Sequence, residues 1–299
     1  MDTVLKIDNL TKQYGRITAV KNLSLEVKRG NVFGILGPNG SGKTTTLGIL
    51  LDVINKTSGS FSWFGQPPGK GVRKKIGAIL ETPIFYPYLS ATKNLEIVAE
   101  IKGAPKENID QVLKKVELYE RRFDKFRTYS LGMKQRLSIA SALLCDPEVM
   151  ILDEPTNGLD PQGIAEIREL IKQIAKEGKT IILASHLLDE VQKVCTHFCV
   201  LKRGTLLYSG SVDEVNKGVE SVEVMSDTPE IREVLEVYNK ATKIVEESGK
   251  FVVTLVEDTH ASDLNAYLFS KGITVSHLLT QRKSLEKQFL ELLAESDNA

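Results

Sequence analysis

The stretch "NVFGILGPNGSGKTT", Asn31 to Thr45, constrains this chain more than any other. A short apolar run enters a glycine-rich turn, and the pattern G-x-x-x-x-G-K-[ST] occupies Gly37 to Thr44. A buried strand that passes through glycines into a helix is a unit of a parallel sheet, so an α/β fold is expected. Gly37, Pro38, Asn39, Gly40, Ser41, Gly42, Lys43, Thr44 and Thr45 are read together as one loop whose backbone N–H groups wrap a phosphate. Lys43 is expected to face solvent and reach the outer phosphates of a nucleotide, with the Thr44 hydroxyl on Mg²⁺. A glycine-rich turn that binds nothing would not require the lysine and the hydroxyl at those places.

A phosphate loop needs a second ligand for the metal and a group that activates water. "EVMILDEP", Glu148 to Pro155, offers a buried strand with Asp153 and Glu154 at its carboxyl end, where ligands of open α/β sheets bind. Asp153 suits the Mg²⁺ shell and Glu154 suits a general base, the competing reading being a solvated strand end. His186 ends the strand "TIILASH" and either caps a helix or donates a hydrogen bond to the terminal phosphate. In "TYSLGMKQRLS", Ser130 is placed to cap a helix, yet Gly132 falls in its first turn. Glycine costs about 1 kcal/mol against alanine there, which calls for a reason such as a ligand approaching the free N–H groups.

The 299 residues include 39 basic and 39 acidic side chains, so the chain lacks the basic surplus of a backbone-bound nucleic-acid protein. Three cysteines without a CxxC pair suit a reducing compartment. Cys195, His197 and Cys199 would share one face if they alternate along a strand, but with no fourth ligand evident they read as reduced core rather than a metal site. No apolar run approaches the length of a spanning helix and the first residues lack a signal-peptide pattern, so a soluble cytoplasmic protein is expected.

Period-two strands open the chain, and the region from about Ser90 to Leu144 reads as mostly helical. After about Asn216 the order becomes β-α-β-β-α-β, ending in "ITVSHLL" and an amphipathic helix "SLEKQFLELLAE". The expected organisation is a domain over 1–215 with a helical subdomain at about 83–145, then a small α+β domain over 216–299.

These motifs, in this order, resemble the ATPase subunits of ABC transporters from Leu5 to about Val215. The resemblance implies ATP and Mg²⁺ as ligands, Tyr14 stacked on adenine, "NGLD" with Asp160 as the D-loop, and His186 as the switch histidine. The stretch at Ser130 resembles the LSGGQ signature but carries Tyr129, Leu131 and Met133 where leucine, glycine and glutamine are usual. In the family, this helix end binds the phosphate held by a second copy, which would explain Ser130 and Gly132. Glu81 stands where a Q-loop glutamine is usual, keeping an oxygen for Mg²⁺ while adding negative charge. With "FYPYLS" downstream, it resembles the branch serving bacitracin-resistance and gliding-motility exporters. Phe85, Tyr86 and Tyr88 then either receive a permease helix or pack locally. The implied function is ATP-driven closing and opening of a homodimer on the cytoplasmic face of a membrane permease. The rival reading is a soluble ABC ATPase of translation or DNA repair, though those relatives carry two cores or a long coiled-coil insertion. A regulatory GTPase would need an NKxD motif, which this chain lacks.

Overall fold

Alternating apolar and polar residues make a half-buried hairpin of β1 (Thr3–Tyr14) and β2 (Ile17–Lys28), which pair antiparallel. The computed structural model describes residues 2–80, 84–216, 220–247, 249–256 and 258–282. β3 (Val32–Leu36) is buried along its whole length and leads into helix α1 (Lys43–Leu50). β4 (Ser58–Trp63) returns to the hairpin and completes a three-stranded sheet in the order β2-β1-β4.

A second sheet carries the phosphate-loop strand. The short helix α2 (Lys70–Arg73) precedes β5 (Ile76–Ile79), after which α3 (Ala91–Lys102), α4 (Asn108–Lys115) and α5 (Leu131–Leu143) form the helical region. The chain continues through β6 (Val149–Asp153), α6 (Pro161–Lys176), β7 (Thr180–Ser185), α7 (Leu188–Val194), β8 (His197–Lys202) and β9 (Thr205–Ser211). The strand order is β5-β6-β7-β3-β8-β9, and β5, β6, β7, β3 and β8 run parallel. Their carboxyl ends therefore share one edge of the sheet, which gathers residues that follow β3, β6 and β7. One apolar core joins the two sheets, with Leu5, Ile7, Ile35, Leu47, Trp63, Ile151 and Ile182 nearly inaccessible.

The described residues divide into two compact units, one up to Gly210 and one from Ser211 onward. In the second, α8 (Val212–Asn216) precedes β10 (Glu220–Met225), α9 (Ile231–Glu236), β11 (Ala241–Glu247), β12 (Lys250–Leu255), α10 (Ala261–Ser270) and β13 (His277–Arg282). Its antiparallel sheet has the order β11-β12-β10-β13, over a separate core that includes Val222, Val224, Leu235, Leu255 and Leu264. The split β-α-β-β-α-β order read from the sequence is the order observed.

Two expectations shift. The last strand begins at His277 rather than Ile273, because the Ile273 N–H closes the end of α10 on Leu268 O at 3.0 Å and its side chain enters the core. Cys195 does not lie on a strand with His197 and Cys199: it ends α7, ahead of β8. Cys195 and Cys199 are buried free thiols, and no metal-binding cluster occurs among the described residues. The final amphipathic helix of the sequence reading lies outside the described residues.

Candidate functional site

The loop after β3 has its shape because side chains are excluded there. A Cβ at Gly37 would lie 2.2 Å from Leu201 O, and one at Gly42 would lie 2.4 Å from Ala19 O, with Gly42 at φ 103°. Only glycine fits either place. Helix α1 begins at Gly42 without a side-chain cap, so its first N–H groups face an incoming anion.

Lys43 corrects the expectation of a solvent-facing lysine. It is 5% exposed, and its Nζ donates to Gly37 O at 2.8 Å and Pro38 O at 3.3 Å. The same ammonium lies 3.3 Å from Glu154 Oε1. Burial is tolerated because carbonyls and a carboxylate surround the charge. Thr44 Oγ1 donates to Asp153 Oδ2 at 2.7 Å, so two oxygen ligands suited to a hard cation meet at the joint of α1 and β6. Ser41 is buried, and its carbonyl accepts from Gly204 N at 2.9 Å.

Glu154 leaves β6 at φ 48°, an uncommon region for a side chain with a Cβ, and its N–H is held by Ala184 O at 2.9 Å. That turn aims the carboxylate back toward the loop. Its Oε2 lies 2.8 Å from His186 Nδ1, which follows β7. Lys43, Glu154 and His186 thus form one connected row across the sheet edge. A cleft of about 370 Å³ opens over it, lined by Tyr14, Asn39 through Thr45 and Glu154, with Ala19 as a wall the sequence reading missed. Tyr14 is about half exposed on the rim, its ring 4.6 Å from Lys12 Nζ. Gly37 and Pro38 serve through their carbonyls rather than by lining the cleft.

Ser130 and Gly132 lie elsewhere. Ser130 Oγ accepts from Met133 N at 3.3 Å and caps α5. Tyr129 just before it is buried, donates from its hydroxyl to Arg121 O at 2.7 Å, and has its pKa pushed up to about 12 by burial. A Cβ at Gly132 would meet nothing within 4 Å, so neither packing nor backbone strain inside this chain requires the glycine. Asp160 caps α6 by accepting from Gly163 N at 2.9 Å. Ser130, Gly132 and Asp160 line a second cleft of about 400 Å³, together with Arg136 and Glu166, which pair at 3.0 Å. The two clefts have no lining residue in common. Glu81 lies outside the described residues.

A phosphate loop, an acidic pair and a histidine on the carboxyl edge of a parallel sheet define a nucleotide-hydrolysing P-loop ATPase. Residues 20–157 match the family model described as ABC transporter. The chain is 39% identical to the ABC transporter ATP-binding protein YhcH of Bacillus subtilis, over 99% of this chain and 98% of the relative. It is 34% identical to the bacitracin transport ATP-binding protein BcrA of Enterococcus faecalis, over 98% of this chain and 97% of the relative. Among solved structures, cbiO1 of Clostridium perfringens, part of the ABC transporter complex cbiONQ, matches with a TM-score of 0.66 and 31% identity. That match covers 72% of this chain and 91% of cbiO1. An ATP-binding cassette solved as a dimer in a post-hydrolysis state with ADP and phosphate matches with a TM-score of 0.61 and 28% identity, over 70% of this chain and 98% of the other. The chain belongs to the ATP-binding subunits of ABC transporters: it binds and hydrolyses ATP to power transport.

Proposed function

We propose that two copies of this chain close on two ATP molecules, each held between the phosphate loop of one copy and the Ser130–Gly132 helix end of the other. The observation that carries this reading is the separation of the two clefts, with a glycine in the second that its own chain does not require. A two-fold interface brings each cleft of one copy to the other cleft of its partner. Lys43 then exchanges its loop carbonyls for phosphate oxygens, and Tyr14 offers its ring to adenine. Thr44 and Asp153 fit Mg²⁺, which supplies charge neutralisation of the phosphates when bound. Glu154 takes the proton of the attacking water, and His186 orients that carboxylate and the terminal phosphate. Asp160 holds the start of α6 beside the signature helix end.

The partner that uses this cycle is a separate membrane permease of an exporter. No helix among the described residues is long and apolar enough to cross a membrane, so the chain would reach the cytoplasmic face of the membrane through that permease. The segment after the Q-loop position sorts its aromatics: Phe85 packs on Phe126 with ring centroids 5.2 Å apart, while Tyr86 and Tyr88 are 50% and 63% exposed. Tyr86, Tyr88 and the exposed Ile84 are the surface offered to the permease, and Phe85 anchors it. The second unit, from about residue 211, is a separate accessory domain that carries none of the nucleotide-binding residues named above.

Glu154→Gln keeps the shape of the base without its proton affinity. It should bind ATP, stop turnover and hold a dimer on a sizing column with ATP and Mg²⁺ present. A mutant that hydrolyses ATP at the wild-type rate would refute Glu154 as the base. One that remains monomeric under chemical cross-linking at saturating ATP would refute the sandwich.

A further inference from the structure

Glu190 is the buried acid that the reaction above leaves unused. It lies in α7, is 1% exposed, and accepts hydrogen bonds from two buried hydroxyls, Thr156 Oγ1 and Ser185 Oγ. Thr156 is two residues beyond Glu154, and Ser185 is the residue before His186. The Ser185 hydroxyl is further fixed because its oxygen accepts from Leu187 N at 3.0 Å, which directs its proton to the carboxylate. We propose that Glu190 is a positioning residue for hydrolysis, clamping the turn that carries Glu154 to the strand end that carries His186.

The proposal rests on the reading of Glu154 and His186 as the reacting pair. Their 2.8 Å contact bridges two segments that sheet pairing alone does not aim, since both side chains lie beyond the last residues of β6 and β7. A carboxylate in a dry site, accepting from hydroxyls on both segments, fixes their separation through two charge-assisted bonds. Such a group is a poor choice for stability alone, because an apolar side chain of similar volume commonly serves a core as well. A tie farther out, Arg168 of α6 to Asp189 of α7 at 2.8 Å, has its carboxylate in solvent and does not reach the Glu154 turn. A mismatch of a fraction of an ångström at a general base is enough to slow turnover without loosening substrate binding.

The experiment uses the full chain, four single variants, and His186→Ala alone and combined with Thr156→Val. Thr156→Val removes one hydroxyl at constant shape, Thr156→Ser restores it, Glu190→Gln keeps shape but changes the donor pattern, and Glu154→Gln is the control. Thr156→Val and Glu190→Gln should each lower kcat at least about tenfold, while the Kd of a fluorescent ATP analogue changes less than about twofold. Thr156→Ser should recover kcat to within about threefold of wild type, and Thr156→Val should cost little more in a His186→Ala background, because both lesions act through one contact. A folded Thr156→Val with near-normal kcat overturns the proposal, as do losses that multiply fully with His186→Ala or a Kd that rises in step with the fall in kcat. If Glu190→Gln fails to fold, the Thr156 pair decides alone. Loss of turnover in Glu154→Gln with an active Thr156→Val sinks this inference and spares the assigned base. Turnover surviving in Glu154→Gln overturns both.

Discussion

Gly132→Asp should move stability and activity in opposite directions. Gly132 is the second residue of α5, a Cβ there meets open space, and the first turn contains no acidic residue. Replacing glycine by aspartate in a helix gains about 0.3 kcal/mol of propensity. An acid in the first turn gains a further 0.3–1 kcal/mol or so from the helix dipole. The isolated chain should therefore be more stable by about 1 kcal/mol, a rise in Tm of about 2–4 °C for a unit of this size. The same carboxylate would stand where the partner's terminal phosphate approaches. At about 5 Å and an effective dielectric near 20, each unit of phosphate charge is repelled by about 3 kcal/mol, roughly a hundredfold loss in closure. Thermal melts without nucleotide and steady-state ATP hydrolysis measure the two effects on one sample. Hydrolysis within threefold of wild type in the folded variant would refute the assignment of this helix end to a nucleotide, and a lower Tm would refute the open space around Gly132.

Lys43→Ala should abolish hydrolysis and also lower stability by about 1–3 kcal/mol, because a buried ammonium bonded to Gly37 O, Pro38 O and Glu154 is lost; a urea midpoint equal to wild type would contradict that burial. Lys43→Ala and Ser130→Arg, each inactive alone, should regain about a quarter of wild-type activity when mixed at equal amounts, since half the dimers are mixed and each holds one intact composite site. Absence of recovery after labelled subunits are seen to exchange, together with activity in a linked dimer bearing one intact site, would place the helix end on its own chain's nucleotide. A thiol reagent at pH 8 should modify Cys145 alone in the folded protein and all three cysteines in denaturant. Burial pushes Cys199 up to about 12 and Cys195 up as well, so on the order of one Cys199 in ten thousand is thiolate at that pH; rapid labelling of either would contradict their burial.

The parts legible in the sequence are those written in contiguous residues. The phosphate loop, the strand ending in Asp153 and Glu154, and the cap at Ser130 each carry their geometry within about a dozen positions, because strand-to-helix turns and helix caps are local physics. The joining of Thr44 to Asp153 and of His186 to Glu154 depends on the strand order β6-β7-β3, which no local stretch of sequence carries. The direction of Lys43 was not legible, since a lysine at the start of a helix gives no sign that two carbonyls of its own loop will take it inside. Glu190 was hidden for a similar reason: it reads as an ordinary acid in a helix first turn, and only the fold sets Thr156 and Ser185 around it. Ile273 reads as a strand residue in the sequence because apolar, β-branched character also suits a residue that closes a helix against a core.

That the two clefts occupy separate places on one chain also sets a kinetic order. A copy whose phosphate loop and signature end can never serve the same nucleotide is, on the proposed reading, half an enzyme twice over. Turnover per molecule should then rise with protein concentration in dilute solution and level off only above the dimer dissociation constant. A permease that seats two copies side by side replaces that bulk concentration with a local one, commonly millimolar for short tethers. The membrane partner would then switch the ATPase on by proximity alone, and a free subunit would hold ATP at little cost to the cell.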